Sequence, residues 1–296
     1  MNKNPPNNTT ITPRPIKFAY QSPIPHYWYQ NNIAITITTT ILAAYIPYCE
    51  KFFIKNVKAL RYKITNPKLL SNISHFVRQE SFHSREHLQF YHKIIRPRYP
   101  ALLKYPIELI IPALIFALSS KKFRLSVTAA GEHFTAVSSN IFLSTPGMMD
   151  NIHQDIKAMW QWHCIEEIEH KAVVFDMLKE LNIGYFSRTC GFLVVNFISL
   201  ICFWRPLIYM LIKDKKLFSA RFYKQMFQFC FTKPGIISKI IPPLFAYLRP
   251  SFHPWQKNDY PLIEKTVIEL NKLSDSKAQH VYLRGDISEK NDHVEQ

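Results

Sequence analysis

The chain has few glycines and no paired cysteine motif, and both shortages narrow its fold class. Six of its 296 residues are glycine, whereas all-β and short-loop α/β folds use glycine at many turns. The five cysteines form no Cys-x-x-Cys pair, which speaks against a disulfide scaffold and against a zinc ribbon. The first thirty residues are rich in Pro and Asn and lack the apolar run of a signal peptide. We therefore expect a reduced, cytoplasmic setting.

Long apolar stretches separated by prolines predict an all-α fold. We expect an extended N-terminal arm over residues 1–30, a helical bundle over 31–184, an apolar and basic helical region over 185–283, and a disordered tail over 284–296. The bundle helices are predicted from about Ile33 with a kink at Pro47, from Pro67 to about Lys93, from Pro106 to Leu143 with a kink near Pro112, and from Met148 to Leu181.

Acidic residues are scarce in the first half of the chain. From the first residue through residue 132 there are only five acidic residues, namely Glu50, Glu80, Glu86, Glu108 and Glu132. A solvated helix surface carries many carboxylates, so isolated acids in apolar surroundings call for partners. These few acids are therefore candidates for specific roles.

The stretch from Trp162 to Lys171 places metal-binding residue types on one helix face. At about 100° per residue, His163, Glu167 and His170 fall within about 60° of one another, and Glu166 lies about 60° to one side of His163. A second stretch repeats the Glu-x-x-His pattern with Glu80 and His83, and His87 follows one turn later. Residues at i and i+3 lie on adjacent turns of the same face, so both pairs can reach a common metal centre.

Four successive predicted helices carry a pattern typical of ferritin-like dinuclear carboxylate proteins. In chain order they carry Glu50, then Glu80 and His83, then Glu132, then Glu167 and His170. We predict a ferritin-like four-helix bundle with additional C-terminal helices, which binds two metal ions. Mixed oxygen and nitrogen ligation favours iron, with manganese as the alternative, over a structural zinc site.

Two further histidines and four further acids lie close to this pattern. His163 is predicted as a seventh metal ligand, the alternative being a group that orients Glu167. His87 is likewise either a metal ligand or a group that orients His83, and we prefer the supporting role for it. The remaining acids are assigned to the surface or to a supporting position near the ligands, with Glu166 as the first candidate for support; they are Glu86, Glu108, Glu166 and Glu169.

The C-terminal half is basic and apolar at once. Between Gly191 and Lys257 there are ten Lys or Arg residues and one acid, Asp214, interleaved with aromatic and aliphatic side chains. This pattern favours an anionic lipid surface, and no nucleic-acid-binding motif accompanies it. The stretch from Gly191 to Ile212 is long enough to span a membrane, but Arg205 and Pro206 interrupt it. We expect a buried or membrane-surface helical hairpin, at the inner face of the cytoplasmic membrane.

Four runs of the sequence resemble a bacterial family described as predicted metal-dependent hydrolases. The runs are Pro47 to Phe53, Phe76 to His87, Glu132 to Thr135 and Trp162 to Lys171, and the similarity extends from Arg14 to about Pro250. The resemblance implies metal-dependent hydrolysis. The spacing of His163, Glu167 and His170 is also similar to that of three-histidine di-iron arylamine oxygenases, which are ferritin-like. The chain departs from the family at Tyr48-Cys49, where a smaller residue such as glycine is expected.

The function remains open between three readings. A carboxylate-rich centre among apolar helices excludes water, which favours oxygen activation at two irons on a small apolar or lipid-like substrate. The family resemblance favours hydrolysis, in which a metal-bound hydroxide attacks a polarised carbonyl or phosphoryl group. A bundle that binds metal without catalysis is the third reading. A homodimer is compatible with each of them, and the sequence does not identify the substrate.

Overall fold

The computed structural model of the chain describes residues 11–20, 23–29, 31–104, 106–150 and 152–275. Within these ranges every regular element is a helix, and a single isolated β-bridge joins Tyr29 to Ile152. The predicted all-α class is confirmed. The predicted tail over 284–296 and the first ten residues of the predicted arm lie outside the described residues.

Eleven α-helices are present in the described part of the chain. They are α1 (Ile33–Arg61), α2 (Pro67–Phe90), α3 (Arg96–Arg98), α4 (Ile110–Leu118), α5 (Lys121–Ser144), α6 (Gln154–His170), α7 (Val173–Glu180), α8 (Tyr185–Lys213), α9 (Ala220–Phe227), α10 (Ile236–Phe245) and α11 (Tyr260–Asp275). Short π-helical turns over Tyr91–Ile95 and Gln228–Thr232 extend α2 and α9, and 3-10 turns cover Ile107–Leu109, Ala246–Leu248 and Pro254–Gln256.

Helices α1, α2, α5 and α6 close a ring around a common interior. Helix α1 packs against α2 and α5, and α6 packs against the same two helices. The β-branched start of α1 is helical because its side chains are buried in this core, as Ile37 and Ile41 are, and because Asn32 caps the helix by accepting a bond from the Ile35 amide. Helix α1 also continues through Pro47 without a break.

Two predicted helices are divided in the structure. The predicted helix over 106–143 ends as α4 at Leu118, and α5 starts anew after Ser120, whose side chain accepts a hydrogen bond from the Phe123 amide. Pro112 lies in the first turn of α4, where a proline is tolerated, so it causes no kink. The predicted helix over 148–181 starts later, as α6, and ends at His170 before α7 begins.

The predicted hairpin over 191–212 is also wrong, because α8 is one helix of 29 residues that continues through Pro206. One side of α8 packs closely on α5. A Cβ atom at Gly191 would lie 2.7 Å from the backbone of Ser126, so only glycine permits this approach. Among the described residues, α1 and α8 are long and apolar enough to cross a membrane, and 72% of the most apolar stretch of α1 and 28% of that of α8 are buried.

Candidate metal centre

Seven buried carboxylate and imidazole side chains meet inside the ring of helices. They are Glu50 from α1, Glu80 and His83 from α2, Glu132 from α5, and His163, Glu167 and His170 from α6. None of them is more than 3% exposed. The structure therefore brings together all seven residues that the sequence nominated as ligands, and it buries each of them.

The seven residues form two groups that share Glu167. One group holds Glu50, His83, His163 and Glu167, the other holds Glu80, Glu132, Glu167 and His170, and within each group the ligand atoms lie within 4.8 Å of one another. Oxygen Oε1 of Glu167 lies 3.4 Å from His83 Nδ1 and 3.6 Å from His163 Nε2, whereas Oε2 lies 3.5 Å from His170 Nε2. Each oxygen of Glu167 thus faces a different group, as a bridging carboxylate would.

Most of the carboxylate oxygens in these groups have no hydrogen-bond partner. Both oxygens of Glu50, Glu80 and Glu132 are buried and lack a hydrogen bond within the described part of the chain. Buried carboxylates without partners are costly and rare in folded proteins. Oxygen and imidazole donors converging on two points satisfy the requirement of metal ions for ligands, so these residues fit bound cations.

The pKa values of the carboxylates show the same need for positive charge. Burial raises the pKa of Glu50 and Glu80 well above the usual carboxylate range, and neighbouring carboxylates add to the rise. Burial also raises the pKa of Glu132 to about 7, although His170 opposes the rise. Burial acts to raise the pKa of Glu167 as well, but the facing imidazoles outweigh it and hold that pKa well below its ordinary value. In the absence of metal cations, the raised pKa values favour protonated carboxyl groups in the centre.

The histidines divide into charged and neutral ones. Burial acts to lower the pKa of His83, but Glu166 and Glu167 outweigh it and raise that pKa to about 10. Burial lowers the pKa of His163 to about 3 and that of His87 well below its usual value. A neutral imidazole is the form that binds a metal, so His163 is ready to act as a ligand. The ring of His87 lies 4.8 Å from that of His163 but belongs to neither group.

Arg14 of the N-terminal arm anchors the partners of two ligand histidines. Its guanidinium lies 3.3 Å from Glu166 Oε1 and 2.6 Å from Glu169 Oε1, and its backbone amide donates to Glu166 at 2.8 Å. The other oxygen of Glu166 lies 3.0 Å from His83 Nε2, which leaves Nδ1 of that ring facing the centre. Glu166 therefore occupies the supporting position that its place on the helix suggested.

A second route from Arg14 reaches the other group through two side chains. Glu169 accepts a hydrogen bond of 2.9 Å from Gln79 Nε2, and Gln79 Oε1 accepts one of 2.9 Å from His170 Nδ1. This bond directs His170 Nε2 toward Glu80 and Glu132, each 3.2 Å away. Hydrogen bonds to the outer nitrogen of a ligand histidine fix its tautomer and orientation.

Arg14 and Gln79 are functional residues that reasoning from the sequence missed. Glu166 and Glu169 are three residues apart beside the metal-binding face of α6, and such a spare carboxylate pair signals a counter-cation. The sequence did not show that the cation comes from the arm, more than 150 positions away.

A surface position for Glu86 and Glu108 is excluded, because both are buried. Glu86 accepts a hydrogen bond from the backbone amide of Phe18, and Glu108 binds Arg205 of α8. Glu86 also pairs with Arg85 and Glu108 with Tyr45, and neither residue belongs to the two metal-binding groups.

A family model described as predicted metal-dependent hydrolase matches residues 12–258. The chain belongs to this family, and the matched range includes Arg14 and every residue of the two groups. No curated protein and no solved structure matches the chain. The relation to ferritin-like proteins therefore stays a prediction from the ligand pattern.

Proposed function

We propose that the chain is an enzyme that holds two metal ions, one in each group, with Glu167 between them. The observation that supports this proposal is the pair of buried ligand sets that meet at the two oxygens of Glu167, together with the oxygens of Glu50, Glu80 and Glu132, which lack hydrogen bonds within the described residues. Four carboxylates in the two groups would balance two divalent cations. Iron suits such mixed oxygen and nitrogen ligation, and manganese is the alternative.

Hydrolysis is the first reaction to test, because the family to which the chain belongs is described as metal-dependent hydrolases. When bound, metal ions supply hydroxide at neutral pH and polarise a carbonyl or phosphoryl oxygen. The chain's own residues hold the ligands in place: Glu166 orients His83, and Gln79 orients His170. The ring of Trp162 lies 4.7 Å from that of His83, and that of Phe76 lies 4.9 Å from that of His170. These apolar walls suit a small apolar or lipid-like substrate.

Oxygen activation at two irons is a second candidate, and a specific feature of the site favours it. Aromatic rings lie against His83 and His170, and the ligands are at most 3% exposed, so bulk water has little access to them. Hydrolysis consumes water, whereas the chemistry of reduced iron with dioxygen benefits from its exclusion. His163 also adds a third imidazole to the ligand set, as in the oxygenases that the α6 motif resembles.

Loading the protein with defined metals separates the two candidates. Protein that carries zinc or manganese and is assayed without dioxygen should hydrolyse p-nitrophenyl esters of graded chain length if the centre is hydrolytic. If every metal form is inactive on these esters, while iron-loaded protein reduced with dithionite consumes dioxygen, hydrolysis is overturned in favour of oxidation.

Single substitutions test the arrangement of the ligands. Glu167→Ala should lose both metal ions, because it belongs to both groups, whereas Glu50→Ala should retain one ion. Glu264→Ala on the exposed side of α11 is the matched control and should bind the full complement. Metal content by mass spectrometry gives the stoichiometry, and circular dichroism reports folding. An unchanged metal content in Glu167→Ala would refute the proposed centre.

A further inference from the structure

The outer side of α8 carries an unbroken row of exposed apolar side chains. Phe186, Leu193, Phe197, Leu200 and Trp204 are each more than half exposed. At about 100° per residue these five positions fall within about 60° of one another, and they extend over about 27 Å. Soluble proteins rarely expose a contiguous apolar surface of this kind unless it binds a partner or a membrane.

The turn that precedes α4 is tied to α8 through Glu108 and Arg205, and α4 is also apolar on its exposed side. Its residues Ile110, Leu114 and Leu118 are more than half exposed. Helix α4 contacts α1 through Phe116, whose ring lies 4.3 Å from that of Phe52. Tyr45 lies two turns before Phe52 on the same face of α1. It contacts the carboxylate of Glu108, which in turn binds Arg205 of α8. One face of α1 therefore meets both helices. We refer to the exposed residues of these two helices as the α4–α8 face.

The amide of Asn196 and the guanidinium of Arg205, next to the apolar row of α8, are hydrogen-bonded within the protein. No charged side chain occurs from Thr189 to Trp204, and Asn196 donates its amide to the carbonyl of Phe192 at 2.8 Å. The guanidinium of Arg205 lies 2.6 Å from Glu108 Oε1 and 2.5 Å from the carbonyl of Leu102. The face can thus leave water without stranding a charge or an amide group.

The inner side of α8 is fixed to the metal-binding helices. Gly191 contacts the backbone of Ser126 in α5, and the hydroxyls of Ser126 and Ser187 are 2.9 Å apart. Phe192 stacks on Tyr247 at 5.6 Å. A spanning helix would need lipid or other spanning segments all around it, whereas one side of α8 packs on α5, which supplies Glu132 to the buried carboxylates of the centre. This geometry is that of a helix lying in a membrane interface.

Exposed basic residues flank the α4–α8 face in the sequence at both helix ends. Lys121 and Lys122 begin α5 shortly after α4 ends, Lys213 is the last residue of α8, and Lys215 lies in the turn that follows it. Basic side chains beside a buried apolar surface attract anionic lipid headgroups, at about 1 kcal/mol for each Lys or Arg near the surface. We propose that the α4–α8 face docks the protein onto the surface of a bilayer that contains anionic lipid.

Docking would also bring lipid to the metal centre. Cys49 is exposed and lies one turn after Tyr45 on the side of α1 that faces α4 and α8, while its neighbour Glu50 is buried in the centre. Cys49 and Glu50 are therefore neighbouring positions of α1, one on the side of the α4–α8 face and one in the centre. This extension rests on the proposed function, because it assigns a lipid-like substrate to the centre, whereas docking itself does not depend on the metal.

Vesicle binding by the full-length protein tests the docking proposal. The wild-type protein should co-float with vesicles of phosphatidylcholine containing 30 mol% phosphatidylglycerol and bind at least tenfold more weakly to pure phosphatidylcholine. The double substitution Phe197→Glu and Trp204→Glu should lower binding to anionic vesicles at least tenfold. Ile268→Glu, which adds one negative charge at an exposed apolar position on α11, is the control and should bind like the wild type.

Three results would overturn the proposal. They are no binding of the wild type to anionic vesicles, an equal loss of binding in Ile268→Glu, and a wild-type dimer in sedimentation without vesicles that the double substitution converts to monomer. The last result would assign the α4–α8 face to a second copy of the chain. Metal content is measured in every variant. A variant that binds two ions but does not dock would contradict docking and not the metal centre. A variant that docks but has lost its metal would contradict the metal centre and not docking.

Discussion

The metal centre and the α4–α8 face are opposites in where they place polar and apolar groups. The centre buries carboxylates such as Glu50 and Glu80, whose oxygens have no hydrogen-bond partner. The α4–α8 face exposes large apolar side chains such as Phe197 and Trp204, while the neighbouring Asn196 amide and Arg205 guanidinium are hydrogen-bonded within the protein. Each region therefore has a physical requirement that the chain does not itself meet. The centre requires cations, and the face requires an apolar environment.

The two regions are nevertheless joined through α5. This helix supplies Glu132 to the centre on one side and receives α8 at Ser126 on the other. A protein built in this way can place its apolar face against a bilayer while its carboxylates stay buried among the helices. The predictions below test how far the two regions act separately.

Removing metal should produce the largest effect and should be confined to the centre. An ion present at about a thousand times its Kd stabilises the folded state by about 4 kcal/mol. Loss of that stabilisation should lower the Tm by about 10 °C in a chain of this size. Calorimetry before and after dialysis against a chelator measures the change, and vesicle binding should be unaltered. An equal Tm with and without metal would show that the buried carboxylates are satisfied in another way.

Substituting Arg14 should have an intermediate effect on the centre and none on docking. Arg14→Gln leaves Glu166 and Glu169 without their cation, so His83 and His170 lose their fixed orientations. Loss of such supporting contacts typically lowers metal affinity about 10- to 100-fold. Competition with a chromogenic chelator measures this affinity. Arg61→Gln, which removes a contact with the Ser74 hydroxyl on the surface, is the control and should bind metal like the wild type.

The smallest effect is expected from a substitution within the α4–α8 face, and α8 provides its own matched pair. Phe192 is 1% exposed and Phe197 is 54% exposed. In the absence of lipid, Phe192→Ser should cost about 3–5 kcal/mol of unfolding free energy. Phe197→Ser should change it by less than about 0.5 kcal/mol. Urea denaturation measures both. A comparable loss from Phe197→Ser would mean that another part of the protein covers the face in solution.

Local patterns predicted the helical class and nominated the residues that meet in the centre. The spacing of His163, Glu167 and His170 follows from helix geometry alone, and so does the pairing of Glu80 with His83. Helix ends were less predictable, because they depend on single contacts. The cap that Ser120 provides for α5 divides a stretch that composition alone presents as one helix. The path of α8 through Pro206 also depends on packing against α5, which periodicity does not report.

The sequence by itself determined which side chains could bind metal and on which helices they lie, because those properties depend on residue type and on a fixed rotation per residue. Only the tertiary structure decided that Glu167 lies between two groups and that Arg14 reaches Glu166 and Glu169. Only the fold, likewise, turned one side of α8 toward α5 and left the other exposed. Each of these contacts joins residues that are far apart in the chain, so it forms only when the helices pack against one another.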